Sequence, residues 1–313
     1  SMERIAFLFP GQGSQAVGMG KDLYESSSAV REIYERASGA IDFDLAAVSF
    51  DGPEEELRKT INAQPALLVA SVSALALLTK RDVVPWAVAG HSLGEYSALV
   101  GARSLTLEDA VRAVRERGRL MYEAGLERPG TMAAVIGFTE DELEPILKEA
   151  RSAGVVQVAN LNAPDQIVVS GEVAAVEKAA DVAGTKGARR VIRLNVSGAF
   201  HSELLRGARD GMERVLEGVD IERPRSLFFA NVTGGALEEP EEIRGALVRQ
   251  MVEPVRWVEC MRSIVNRKAS LFIEVGPGSV LRGLARKIEP GIKSLGAGTV
   301  ADVDRILAEV AAG

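Results

Sequence analysis

Gly90, His91, Ser92, Leu93 and Gly94 stand in the G-x-S-x-G spacing of a nucleophile elbow. Flanking glycines let a chain turn sharply between a strand and a helix, and such a turn leaves the serine hydroxyl exposed at the edge of a sheet. The helix that follows adds positive potential and free N–H groups. The chemistry on offer is nucleophilic catalysis by Ser92, which needs a base. The chain holds only two histidines. His91 is fixed beside Ser92 in the same tight turn and points elsewhere. His201, in NVSGAFHSELL, is therefore the candidate base. Its blander reading is a surface residue ahead of a helix that Ser202 caps.

A third residue stands out by its position. The segment Thr106 to Met121 has helical periodicity, and at about 100° per residue Leu107, Ala110, Ala113, Val114, Leu120 and Met121 share one face. Arg112, Arg115 and Arg119 fall on the opposite, solvated side, whereas Arg117 falls in the middle of the apolar face. A buried guanidinium is costly unless paired. Its partner is either a structural Asp or Glu, or a substrate carboxylate gripped bidentately. The loop GQGSQA fits the G-x-G-x-x-A form of a dinucleotide fingerprint, but Pro10 breaks the strand-to-turn junction and no acidic residue follows at a strand end about 20 residues on. Its backbone N–H groups could equally serve an oxyanion. Cys260 reads as a core thiol, and Arg282, Arg286 and Lys287 as a solvated helix face on which an acidic partner could dock.

These residues must be held by a large core. The chain has 313 residues, 47% of them hydrophobic, which is enough for one big domain or one domain carrying an insert. A net charge of -7 gives no sign of general nucleic-acid binding. One cysteine permits no internal disulfide, which fits a reducing compartment, and one Cys with two His argues against a zinc site. The N-terminal apolar run is too short for a signal peptide, and the leading Ser-Met has the look of a vector remnant. The run Ala66 to Leu78 is too short to span a bilayer and reads as a buried core helix.

RIAFLFP and VPWAVAG read as buried strands, the second feeding Ser92 and a helix over Leu93 to Val100. Alternating strands and helices predict an α/β fold with a mostly parallel sheet covered on both faces. Between Arg128 and Asn195 the order becomes β-α-β-β-α-β: TMAAVIGF, EDELEPILKEA, VVQVANLN, QIVVSG, EVAAVEKAADVAGTKG and RRVIRL. That order is the signature of a ferredoxin-like unit. The expected organisation is thus a discontinuous catalytic domain, 1–127 and 196–313, with a ferredoxin-like subdomain at 128–195. SLFFAN and SLFIEVG supply further strands, and helices are expected from Ser202, Pro240, Pro254 and Ser279.

Taken together these motifs resemble the malonyl-CoA:acyl carrier protein transacylases of fatty-acid synthesis. The resemblance runs nearly end to end: FPGQGSQ at 9–15, GHSLGEYSAL at 90–99, RGRLM at 117–121, NAPDQIVVSG at 162–171, GAFHS at 198–202, FANVTG at 229–234, RQMVEPVRW at 249–257 and EVGPG at 274–278. It implies an α/β-hydrolase-like catalytic domain with the small insert. It implies Ser92 as nucleophile, His201 as base and Arg117 as holder of the malonyl carboxylate. It further implies an oxyanion hole from the Gln12 and Leu93 backbone N–H groups, and a backbone carbonyl at Gln250 that orients His201. Gln12, Asn162 and Phe200 join Arg117 as substrate-binding residues. Leu93 and Phe200 follow the malonyl-selective pattern, while Gly198 leaves one more space beside the base than bulkier variants do. The substrates implied are malonyl-CoA and phosphopantetheinylated acyl carrier protein, with no metal or redox cofactor, no nucleic acid and no membrane. A cytoplasmic monomer is expected. The alternatives are an acyltransferase serving a polyketide synthase, and a serine esterase that shares the elbow.

Overall fold

The computed structural model describes residues 3–312. Ser1 and Met2, and with them the expected vector remnant, lie outside the described residues. Among the described residues ten strands form two sheets: β1 (Ile5–Phe9), β2 (Ala87–Gly90), β3 (Thr131–Ile136), β4 (Val156–Ala163), β5 (Gln166–Gly171), β6 (Arg190–Arg193), β7 (Leu227–Phe229), β8 (Ala236–Leu237), β9 (Leu271–Val275) and β10 (Ser294–Ala297). The large sheet runs β10-β9-β1-β2-β7-β8, parallel throughout except at the β8 edge. The small sheet runs β4-β5-β3-β6 and is wholly antiparallel. With β3 and β5 at its centre, that is the strand order of a ferredoxin-like unit, built from residues between Thr131 and Arg193.

Strand β1 shows why the large sheet is parallel and central. All five of its residues are buried; Ile5, Phe7 and Phe9 face one core cluster and Ala6 and Leu8 the other. A strand apolar on both faces must be covered by helices on both, which only crossover connections supply. In the small sheet Ala133, Val135, Ile167 and Val169 pack against the helices Glu140–Ala150 and Val173–Thr185. Met132, Ala134 and Val168 of the opposite face enter the main core. The two sheets therefore share buried surface. They are also stitched at β4, where Leu161 N–H donates to Val255 O and Val255 N–H to Ala159 O.

Two long helices position the site. Thr60–Lys80 and Leu107–Glu127 each span 21 residues and pack side by side. The first is longer than its apolar run because the stretch Thr60 to Gln64 is also helical, with its polar residues Thr60, Asn62 and Gln64 buried. It is long and apolar enough to cross a membrane by length and composition, and 83% of its most apolar window is buried inside the protein. Thr106 caps the second helix, its hydroxyl accepting the Asp109 N–H, and Glu108 and Asp109 complement the positive end. Gly118 is where the two helices touch: a Cβ there would lie 2.8 Å from the Ile61 Cα.

The structure departs from the sequence reading in places. The helix expected from Ser202 opens with a 3-10 turn, Glu203–Leu205, before Arg206–Glu217, and that expected from Pro254 begins at Trp257. Strands β8 and β10 lack the β-branched and aromatic content that marks a strand in sequence. Arg115 is not simply solvated. Its guanidinium donates to Ile61 O and Asn62 Oδ1 and stacks on the Phe43 ring at 4.4 Å. Arg282 is likewise bound inward, 3.0 Å from the fully buried Glu274 carboxylate, while Arg286 and Lys287 are exposed.

Candidate active site

The elbow forms where β2 ends at Gly90 and the helix Gly94–Gly101 begins. Ser92 sits between them at φ 53°, in the left-handed region. For a residue with a side chain that conformation costs about 1–3 kcal/mol and persists only where surroundings impose it. Here they do. Asn231, fully buried just past β7, accepts the Ser92 N–H on Oδ1 at 2.9 Å and donates from Nδ2 to Gly90 O at 2.8 Å. The flanking glycines are required by closeness. A Cβ on Gly90 would lie 1.9 Å from the Gly94 carbonyl carbon, and one on Gly94 would lie 2.1 Å from Phe9 O.

His201, also left-handed at φ 57°, stands on the loop after β6. Its Nε2 lies 2.8 Å from Ser92 Oγ, and its Nδ1 lies 2.7 Å from Gln250 O. A carbonyl can only accept, so Nδ1 carries the proton and Nε2 offers its lone pair to the Ser92 hydroxyl. Burial, and then the charge of Arg117, push the imidazole down to about 3, against the Gln250 hydrogen bond. It is therefore neutral, with Nε2 free to accept a proton. His91 turns away: its Nε2 lies 2.7 Å from Asn162 Oδ1, and its ring packs 5.4 Å from that of Trp257.

Arg117 is 1% exposed. It donates from Nη1 to Gln64 Oε1 at 3.0 Å, and from Nη2 to Gln250 Oε1 at 2.8 Å and to Ser92 Oγ at 3.0 Å. Two neutral amides thus hold it against the Ser92 hydroxyl. Among the described residues no carboxylate comes within ion-pair distance, and its Nε has no protein acceptor. The structural Asp or Glu that the sequence left open as its partner makes no direct ion pair with it; the buried Glu95 acts on it only through space and by way of Gln250. Burial lowers the guanidinium's proton affinity, while Tyr96 and Glu95 oppose that shift.

These groups line a cavity of about 450 Å³, together with Gln12, Leu93, Met121, Met132, Asn160 and Phe200. Among the described residues neither the Gln12 nor the Leu93 N–H donates to a protein acceptor. The Gln12 side chain is anchored, donating to Thr60 Oγ1 at 3.1 Å. Asn162 is not on this wall, because its amide is committed to His91. Two other asparagines reach the cavity, Asn195 and Asn160, and the Asn160 Oδ1 is buried and has no partner among the described residues. The space at Gly198 is not open either: a Cβ there would meet the Gly125 Cα at 3.3 Å and the Phe200 ring at 3.4 Å. Cys260 is buried away from the cavity, its thiol donating to Ala230 O. Sequence reasoning missed Gln64, Glu95, Asn160, Asn231 and the Gln250 side chain. Three of them lie inside motifs already singled out; Gln64 and Asn160 carry no signal beyond being polar in apolar surroundings.

The chain matches the acyl transferase domain over residues 6–305. It is 42% identical over 295 residues to the malonyl CoA-acyl carrier protein transacylase of Bacillus subtilis, covering 94% of this chain and 93% of that one. To the transacylase of the same name from Haemophilus influenzae it is 40% identical over 307 residues, with coverage of 97% and 98%. The solved malonyl CoA-acyl carrier protein transacylase of Coxiella burnetii superposes with a TM-score of 0.94 at 39% identity, over 98% of this chain and 97% of that one. A malonyl-transacylase solved in complex with its type II PKS acyl-carrier protein gives a TM-score of 0.95 at 39% identity, over 98% of this chain and 100% of that one.

Proposed function

The chain belongs to the acyl transferase family, and we propose that it transfers malonyl from malonyl-CoA to the phosphopantetheine thiol of acyl carrier protein, in fatty-acid synthesis, through a malonyl ester on Ser92. The observation that carries this reading is the buried Arg117 guanidinium, 3.0 Å from Ser92 Oγ and, among the described residues, with no carboxylate within ion-pair distance. A cation so placed favours an acyl group that brings a carboxylate. The names of the relatives agree.

In the first half-reaction His201 Nε2 takes the Ser92 proton as Oγ attacks the thioester carbon. The carbon–sulfur bond breaks, and the CoA thiolate leaves with the proton returned from the imidazolium. The Gln12 and Leu93 N–H groups serve the oxyanion, a role that at a single donor is worth about 3–4 kcal/mol in other acyl transfers. In the second half-reaction the carrier thiol gives its proton to His201 and attacks the ester, and Ser92 Oγ recovers the proton. A carbonyl behind His201 fixes its tautomer but stabilises imidazolium less than a carboxylate would.

Mass spectrometry of the protein mixed with malonyl-CoA tests this. A malonyl adduct on Ser92 that holo carrier protein discharges to its own thiol is the expected result. Discharge to water at the same rate with or without carrier protein would instead make the protein a hydrolase.

A further inference from the structure

One buried carboxyl beside the site has no part in those steps. Glu95 is 1% exposed, three residues past Ser92 in the first turn of its helix. Its Oε2 accepts the Asn231 N–H at 2.8 Å, and its Oε1 accepts from Gln250 Nε2 at 2.7 Å. The same Nε2 donates to Ser92 O at 2.9 Å and faces Asn231 Oδ1 at 3.2 Å. Three acceptors therefore converge on one end of the Gln250 amide. An amide has donors only at one end and an acceptor only at the other. With its NH₂ fixed toward Glu95, Gln250 presents Oε1 to Arg117 Nη2, at 2.8 Å. Turned over, it would set an NH₂ against a guanidinium, donor against donor, in a buried site.

We propose that Glu95 is a positioning residue that locks the Gln250 amide in the orientation that holds Arg117 on the acyl carboxylate, and so contributes to selection of carboxylated over uncharged acyl groups. This rests on the reading of Arg117 given above. Burial pushes the Glu95 carboxyl up to about 8. A carboxyl oxygen accepts hydrogen bonds whether or not the group is protonated, so the lock does not hinge on its charge. Glu95→Gln removes one of the two acceptors. Placed toward Gln250, the new NH₂ meets the Gln250 NH₂ donor to donor, a clash that inversion of Gln250 relieves; placed toward Asn231, it leaves that backbone N–H without an acceptor.

The test is kcat/KM for malonyl-CoA and acetyl-CoA in the intact enzyme and in Glu95→Gln, Arg117→Ala and the double variant. In Glu95→Gln the malonyl-over-acetyl preference should fall at least about tenfold, and adding it to Arg117→Ala should move the remaining preference little. If Glu95→Gln gives no cooperative melt, Glu95→Asp, which keeps both oxygens but withdraws them, should show a smaller fall. A folded variant at Glu95 that loses activity equally on both substrates, or loses none while Arg117→Ala loses its preference, overturns the proposal. An unchanged preference in Arg117→Ala itself would instead overturn the reading of Arg117.

Discussion

At the residue scale the site is a neutral imidazole, a hydroxyl and a cation held within one network. Arg117 donates to Ser92 Oγ while His201 Nε2 faces the same oxygen. Its loss should therefore be selective. Arg117→Ala should lower kcat/KM for malonyl-CoA by about 10–100-fold, the worth of a hydrogen bond to a charged group, and spare acetyl-CoA comparatively. Equal losses on both acyl groups would make Arg117 structural. His201 gives a pH prediction. Its imidazole lies at about 3 in the fold against 6.5 ordinarily. The unfolded chain takes up that proton below 6.5 and the native protein does not. This group's contribution to stability is thus fully present above 6.5 and is lost progressively as pH falls toward 3. The base itself stays neutral through that window. A profile of kcat/KM should then show no loss centred near pH 6.5; a limb there would mean that His201 titrates normally in the free enzyme.

At the element scale the site depends on how closely backbones approach. The pairing of Phe9 with Gly90 sets the GQGSQ loop beside the elbow, and β7 brings Asn231 to the same edge. In open parallel sheets, sites gather beyond the carboxyl ends of the strands, where the loops of neighbouring strands diverge. Gly118 lets the helix carrying Arg117 lie against the one carrying Gln64. In Gly118→Ala the new methyl would press on the Ile61 backbone at 2.8 Å. Overpacking of this kind costs about 1–3 kcal/mol, which urea denaturation would register. Malonyl preference should weaken with it, because Arg117 moves with the helix. A variant as stable as the parent would show that the two helices can part without cost. The elbow, the long helix with its misplaced arginine and the order of the small sheet were legible in sequence, because each has a period or a fixed spacing. Strand β10, with Gly and Ala in half of its four positions, and the 3-10 turn after Ser202 were not. Their structure comes from pairing and packing, not from local preference.

At the scale of the whole molecule the inserted sheet is part of the catalytic body. Met132, Ala134 and Val168 lie in the same buried cluster as Phe7 and Phe9, and Met132 also lines the cavity. Unfolding followed by far-UV and near-UV circular dichroism should give one coincident transition. Two separated transitions would show that the small sheet melts by itself.

From the residues alone came the candidate nucleophile, the candidate base, the anomalous arginine, the α/β class and the resemblance that the family match bears out. These are local facts of residue type, spacing and periodicity, and a sequence carries them in order. The fold alone decided what Arg117 touches, which asparagines reach the cavity and which atoms hold Gln250. Those contacts join residues as far apart as Ser92 and Gln250, or Gln64 and Arg117. Spacing along a chain says nothing of such pairs, because only packing determines which buried polar groups must satisfy one another.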